Sequence, residues 1–166
     1  MFEKFNHQVT KNGRWTLESS GGIHLEKTFT KNSFYILEVN NPDTNMMAEI
    51  SSQSNLGLSL YLIKTNKRAL NELDQREIDS AVSPADCSAK YNSLFFDFGK
   101  TAGTFLVVPC NYNKEEGIYE IKFSTTKPVE VTEGNPRGFQ IRKDYTLNMV
   151  NDPKYLSASS KREILM

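Results

Sequence analysis

The chain has 166 residues, one domain's length, and a chain of that size buries about 70% of the surface its unfolded form exposes, so it can fold alone. Its 20 Lys and Arg balance 20 Asp and Glu, so no global field draws it onto nucleic acid or an anionic membrane, and any such binding must be local. It has no run of about 18 apolar residues, and the opening M-F-E-K-F-N-H-Q lacks the basic-then-apolar order of a secretory leader, so a cytoplasmic chain that is not transmembrane is expected.

Along the chain the hydrophobic period is two almost throughout. Short candidate strands are W-T-L-E-S at 15–19, F-Y-I-L-E-V at 34–39 and A-E-I-S-S at 48–52. L-S-L-Y-L-I-K at 58–64 puts Leu58, Leu60 and Leu62 on one face. The stretch from Asn66 to Ala89 breaks the pattern. It is charged and weakly apolar, with helix-like spacing over Leu70, Leu73 and Glu77, and reads as a long connection holding one or two helical turns. S-L-F-F-D-F at 93–98 aligns Leu94, Phe96 and Phe98, and T-F-L-V-V-P at 104–109 is apolar on both faces, as a central sandwich strand can be. In G-I-Y-E-I-K-F-S-T at 117–125, Tyr119, Ile121 and Phe123 oppose Glu120 and Lys122, the pattern of a strand packed from one side. P-V-E-V-T at 128–132 and G-F-Q-I-R at 138–142 are shorter candidates. About eight short strands with little helix predict an all-β, antiparallel β-sandwich over residues 12–142, with an N-terminal arm at 1–11 and a C-terminal arm at 143–166.

Catalytic and metal chemistry find little support. Cys110 with His7 or His24 could be imagined as a thiol-protease set, but that needs a thiolate beside an imidazole in a cleft, and Cys110 follows Pro109 at a strand end. A buried or turn cysteine and two surface histidines are expected instead, and no disulfide between Cys87 and Cys110. The two cysteines and two histidines match no zinc-ligand spacing, and G-K-T at 99–101 lacks the upstream glycine of a phosphate loop. Calcium needs six to eight oxygens, whereas Asp43, Asp74, Asp86, Asp97, Glu115 and Glu116 are scattered, so solvated acids are expected over a site, and no cofactor. Lys64, Lys67 and Arg68 cluster just past a strand and form a candidate surface for an anionic partner, whether phospholipid or an acidic protein face. The tail residues Lys154, Lys161 and Arg162 form another.

The residues at both ends of the strand-rich region carry a resemblance. N-G-R-W-T-L-E-S-S-G-G at 12–22, followed by T-F-T-K-N-S-F-Y-I-L-E-V at 28–39, resembles the opening of calpain domain III. F-G-K-T-A-G-T-F-L-V-V-P-C-N-Y-N-K-E-E-G-I-Y-E-I-K-F-S-T at 98–125 is similar to that family's closing hairpin. The resemblance spans roughly residues 12–132. It departs at Ser33, where the family has proline, and at Asn111, where Ser or Thr is common. Physical reasons stand beside it: Trp15 buries a large ring, Gly21 and Gly22 allow a sharp turn, and Pro109 ends a strand by withholding a donor. Gly117 opens the second strand of the hairpin. The resemblance implies an eight-stranded sandwich similar to calcium- and lipid-binding sandwiches, here without the papain-like protease core. The initial Met and the long tail favour a stand-alone relative over a fragment. A non-catalytic interaction or structural module is expected, a subunit or adaptor held among other proteins of a larger complex. The alternative is a regulatory or membrane-targeting domain of a calpain-like cysteine protease, binding phospholipid with or without calcium.

Overall fold

The computed structural model describes residues 4–134. It is an all-β sandwich of eight antiparallel strands: β1 (His7–Trp15), β2 (Tyr35–Val39), β3 (Asn45–Ser51), β4 (Leu58–Lys64), β5 (Tyr91–Asp97), β6 (Gly103–Asn111), β7 (Gly117–Thr125) and β8 (Val129–Glu133). They form two four-stranded sheets, ordered β1-β7-β3-β5 and β4-β6-β2-β8. The alternation read in the sequence sets the register. In β7, Tyr119, Ile121 and Phe123 point inward and lie opposite Gly13, Lys11 and Val9 of β1, while Ile121 and Phe123 also lie opposite Ile50 and Ala48 of β3. Between the sheets these side chains meet Leu58, Leu60 and Leu62 of β4 and Phe105 and Val107 of β6, in one core with Trp15, Tyr35 and Leu37. Fully burying each such side chain stabilises the fold by roughly 1.5–3 kcal/mol.

A second apolar layer lies on the outside of the β4-β6-β2-β8 sheet. The opposite faces of its strands present Ile36, Tyr61, Ile63, Leu106, Val108 and Cys110, and these are covered by Phe29 from the loop after β1 and by Leu70, Leu73 and Ile78 from the stretch after β4. The segment read as a connection is therefore a lid. It contains a 3-10 turn (Leu70–Glu72) and the short helix α1 (Gln75–Asp79), whose start is fixed by a capping box: the Asp74 carboxylate accepts from the Glu77 amide at 2.8 Å and Glu77 accepts from the Asp74 amide at 3.0 Å. Bridges Leu58↔Ser88 and Leu62↔Val82 fasten the same segment along the edge of β4.

Some expectations change. β1 begins at His7, inside the segment expected as an N-terminal arm, and it stops at Trp15 where a strand was expected to start. From Thr16 to Ser19 the side chains take over the backbone: the Thr16 amide donates to Ser19 Oγ at 2.8 Å and the Ser19 amide to Thr16 Oγ1 at 3.2 Å, closing a turn. Pro109 does not end its strand. β6 runs on to Asn111, and Pro109 lies opposite Leu60 of β4. β2 stops pairing at Val107, so beyond it β6 has one partner only, leaving a side where a missing donor breaks no ladder bond. The candidate strand at 138–142 and the C-terminal arm lie outside the described residues.

Candidate interaction surface

The two sheets differ in what covers them. The outer face of β4-β6-β2-β8 is sealed by the lid, whereas among the described residues only the segment before β1 lies over the outer face of β1-β7-β3-β5. The alternation that sends Leu94 inward sends Tyr91, Ser93, Phe95 and Asp97 outward, and in β3 and β7 it turns half-buried Met47, Glu49 and Lys122 and exposed Ile118 and Glu120 the same way. Phe95 is 53% exposed and lies directly opposite Met47, and Ile118 is 57% exposed at the far end of β7. Phe5, from the residues before β1, packs edge-on to Phe95 with ring centroids 6.4 Å apart, so the N-terminal segment reaches across this face from β1 to β5. At the centre Glu49 lies 3.7 Å from Lys122 Nζ and accepts from the Tyr91 hydroxyl at 2.7 Å, a bond that pushes the Tyr91 phenol upward. A cleft of about 720 Å³ opens beside this face, between Asn12, Gly13 and Arg14 of β1, Ser51, Ser52 and Gln53 after β3, and Ile118 and Glu120 of β7. An apolar stripe with a polar centre and a cleft at one end is the kind of surface that suits contact with another surface.

The residues that carried the resemblance to calpain domain III lie at packed or turn positions. Trp15 is fully buried and lies against Tyr119, centroids 4.5 Å apart. Gly21 and Gly22 belong to a loop held by buried Asn32. The Gly21 amide donates to Asn32 Oδ1 at 2.8 Å, Asn32 Nδ2 donates to the carbonyl of Gly22 at 2.9 Å, and Gly22 sits at φ +87, a conformation that favours glycine. A Cβ on Gly117 would press into Leu56. Asn111, where the resemblance departs, is fully buried and ties the hairpin turn: its Nδ2 donates to the carbonyl of Glu115 at 3.0 Å and its Oδ1 accepts from the Glu115 amide at 2.8 Å.

The basic cluster is divided by the fold. Lys67 Nζ is 2.7 Å from Glu77 Oε1, which raises the lysine and lowers the glutamate, each through that hydrogen bond first. Arg68 lies 2.8 Å from Glu38, and Lys64 sits over the Phe105 ring at 5.1 Å. Cys110 is buried in the layer under the lid, where desolvation pushes its thiol far up, and Cys87 is exposed. His24 Nδ1 is 3.0 Å from the Tyr61 hydroxyl, while His7 belongs to the other sheet, so the imagined thiol set is not assembled. Asp43 pairs with Lys100 at 2.9 Å, Asp74 caps α1, and Asp97 accepts from the Gly99 amide. Among the described residues no three His, Cys, Asp or Glu side chains are grouped to hold a metal, and no helix is long and apolar enough to cross a membrane. The outer-face stripe escaped the sequence reading. Its signal was there: once Leu94, Phe96 and Phe98 are assigned inward, Phe95 must face out.

No family model and no curated protein matches the chain. Among solved structures, PliG of Aeromonas hydrophila, a periplasmic inhibitor of g-type lysozyme, is similar at 12% identity and a TM-score of 0.41, over 72% of this chain and 86% of that one. The Yersinia pseudotuberculosis-derived mitogen is similar at 10% identity and a TM-score of 0.42, over 71% and 85%. The Tobacco streak virus coat protein follows at 14% identity and a TM-score of 0.30, over 87% and 96%. At such identities and scores nothing about this chain's family or role follows from them.

Proposed function

We propose that the chain is a non-catalytic interaction module of the calpain domain III kind, a subunit or adaptor that docks other proteins of a larger assembly on the outer face of its β1-β7-β3-β5 sheet. The observation that carries this reading is the asymmetry of the two sheets. One outer face is roofed by its own lid, while among the described residues the other leaves Phe95 and Ile118 exposed, with half-buried Met47 opposite Phe95. Solvating such a stripe is unfavourable, at about 25 cal/mol for each Å² that a partner would cover. Cys110 is buried with its thiol pushed up by desolvation, so it is not poised as a nucleophile.

The test compares affinity capture and cross-linking in source lysate by the native chain, by Phe95→Glu with Met47→Glu, and by Lys64→Gln with Lys67→Gln and Arg68→Gln. Each variant is checked for native circular dichroism. The reading expects the face variant to lose a partner that the basic-cluster variant keeps. Retention by both, or no stable partner for the native chain, overturns it. Pelleting with anionic vesicles that the basic-cluster variant abolishes would instead favour the membrane-targeting alternative. That alternative is weakened by Glu77 and Glu38, which already pair two of its three cations.

A further inference from the structure

A sandwich has four edge strands, and here they are unequal. β4 is bridged by Ser88 and Val82 of the lid. β8 is short and carries Glu130 and Glu133, and β5 carries Asp97 at its end. β1 is nine residues long, pairs with β7 along its whole length, and among the described residues its other side bonds to nothing. Between Lys4 and Trp15 the chain holds Lys4, His7, Lys11 and Arg14 and no acid. Among the described residues neither Lys11 nor Arg14 is in an ion pair. Gly13 and Arg14 also border the 720 Å³ cleft, which lies on the β7 side of the strand and leaves its outer edge clear.

We infer that the free edge of β1 is a docking site for an extended acidic segment of a partner protein, which adds as a further strand and sets its carboxylates against Lys11 and Arg14. An exposed row of backbone donors and acceptors templates another strand, and main-chain bonds supply affinity while side chains set specificity. The charges decide the occupant. Antiparallel pairing of β1 with a second copy's β1, centred on the strand, sets Lys11 against Lys11, which is destabilising. Residues 135–166 of this chain carry six Lys and Arg against three Asp and Glu, so its own tail is also a poor match. The same lysine that guards the edge against self-pairing therefore admits an acidic strand. Lys11 lies on the inward-facing row of β1 and Arg14 on the outward-facing row, so acids separated by three positions would meet both.

This inference deepens the reading of the chain as an interaction module by naming the chemistry of one partner, and it is tested separately. The probe is a fluorescein-labelled peptide with Glu at every third position and Val and Thr between, long enough to span β1, with a Lys-for-Glu counterpart and a copy carrying proline at alternate positions. Anisotropy with the full chain is expected to show binding by the Glu peptide alone. Lys11→Glu with Arg14→Glu, confirmed folded by circular dichroism, is expected to weaken it about tenfold or more. Hydrogen exchange is expected to slow at β1 amides. Absence of binding, equal binding by the proline copy, indifference to the β1 variant, or slowing at another edge would each overturn the inference. A failed peptide with partner capture still lost on Phe95→Glu and Met47→Glu would remove this inference and leave the module reading standing. The opposite pattern would remove the outer face as the docking surface.

Discussion

Tyr119 of β7 and Tyr35 of β2 reach across the sandwich from opposite sheets and hydrogen-bond hydroxyl to hydroxyl at 3.0 Å, both buried. Replacing Tyr119 with Phe leaves the Tyr35 hydroxyl buried without that partner, which costs about 1–3 kcal/mol, and Tyr35→Phe costs a similar amount. The double variant removes both polar groups with the rings in place, so its cost falls well short of the sum, and the coupling equals most of a single loss. Urea unfolding followed by Trp15 fluorescence, the sole tryptophan, measures all four corners of the cycle. The pair also predicts a pH dependence. Burial raises both phenols above the usual tyrosine value near 10, and raises Tyr61, under the lid, to about 12. The unfolded chain loses these protons near pH 10 while the folded chain keeps them, so the stabilisation is fully present below pH 10 and falls as pH rises above it. A tyrosine that stays protonated in the fold after it has ionised in the unfolded chain contributes a slope of about 1.4 kcal/mol per pH unit. Tyr119→Phe with Tyr35→Phe should therefore make the alkaline limb shallower, leaving the parts carried by Tyr61, which ends near pH 12, and by the buried Cys110 thiol, which burial also pushes up. Additive single costs, or an alkaline slope unchanged by the double variant, would refute the pairing argument.

Four further outcomes follow from the packing. Gly13→Ala would push a Cβ into the Tyr119 ring and lower stability by about 1–3 kcal/mol, read as a lower urea midpoint. Leu70→Ala, at a fully buried lid position, should cost about 2–5 kcal/mol and raise the binding of a hydrophobic dye by exposing the outer layer of the β4-β6-β2-β8 sheet. Asp74→Ala removes the cap of α1 and should cost about 1 kcal/mol in a thermal melt. In thiol titration with Ellman's reagent, exposed Cys87 should react at once in the native protein and buried Cys110 only after unfolding, so fast reaction of both would contradict the second layer.

The strands were legible because their cause is local. A period of two and β-branched or aromatic residues act within a few positions, so β4, β6 and β7 could be placed from the alternation of Leu58, Leu60 and Leu62, the unbroken T-F-L-V-V run, and Tyr119, Ile121 and Phe123. What the sequence left open depends on partners far along the chain. Val108 and Cys110 said only that β6 is apolar on both sides. That Leu70 and Ile78 roof it follows from where the segment after β4 lands. The separation of Lys64, Lys67 and Arg68 into different contacts likewise needed Glu38, about thirty positions before Arg68, to arrive beside it. Alternation fixes which side chains share a face, but which face meets water is a property of the assembled layers, and that is where the open stripe around Phe95 was decided.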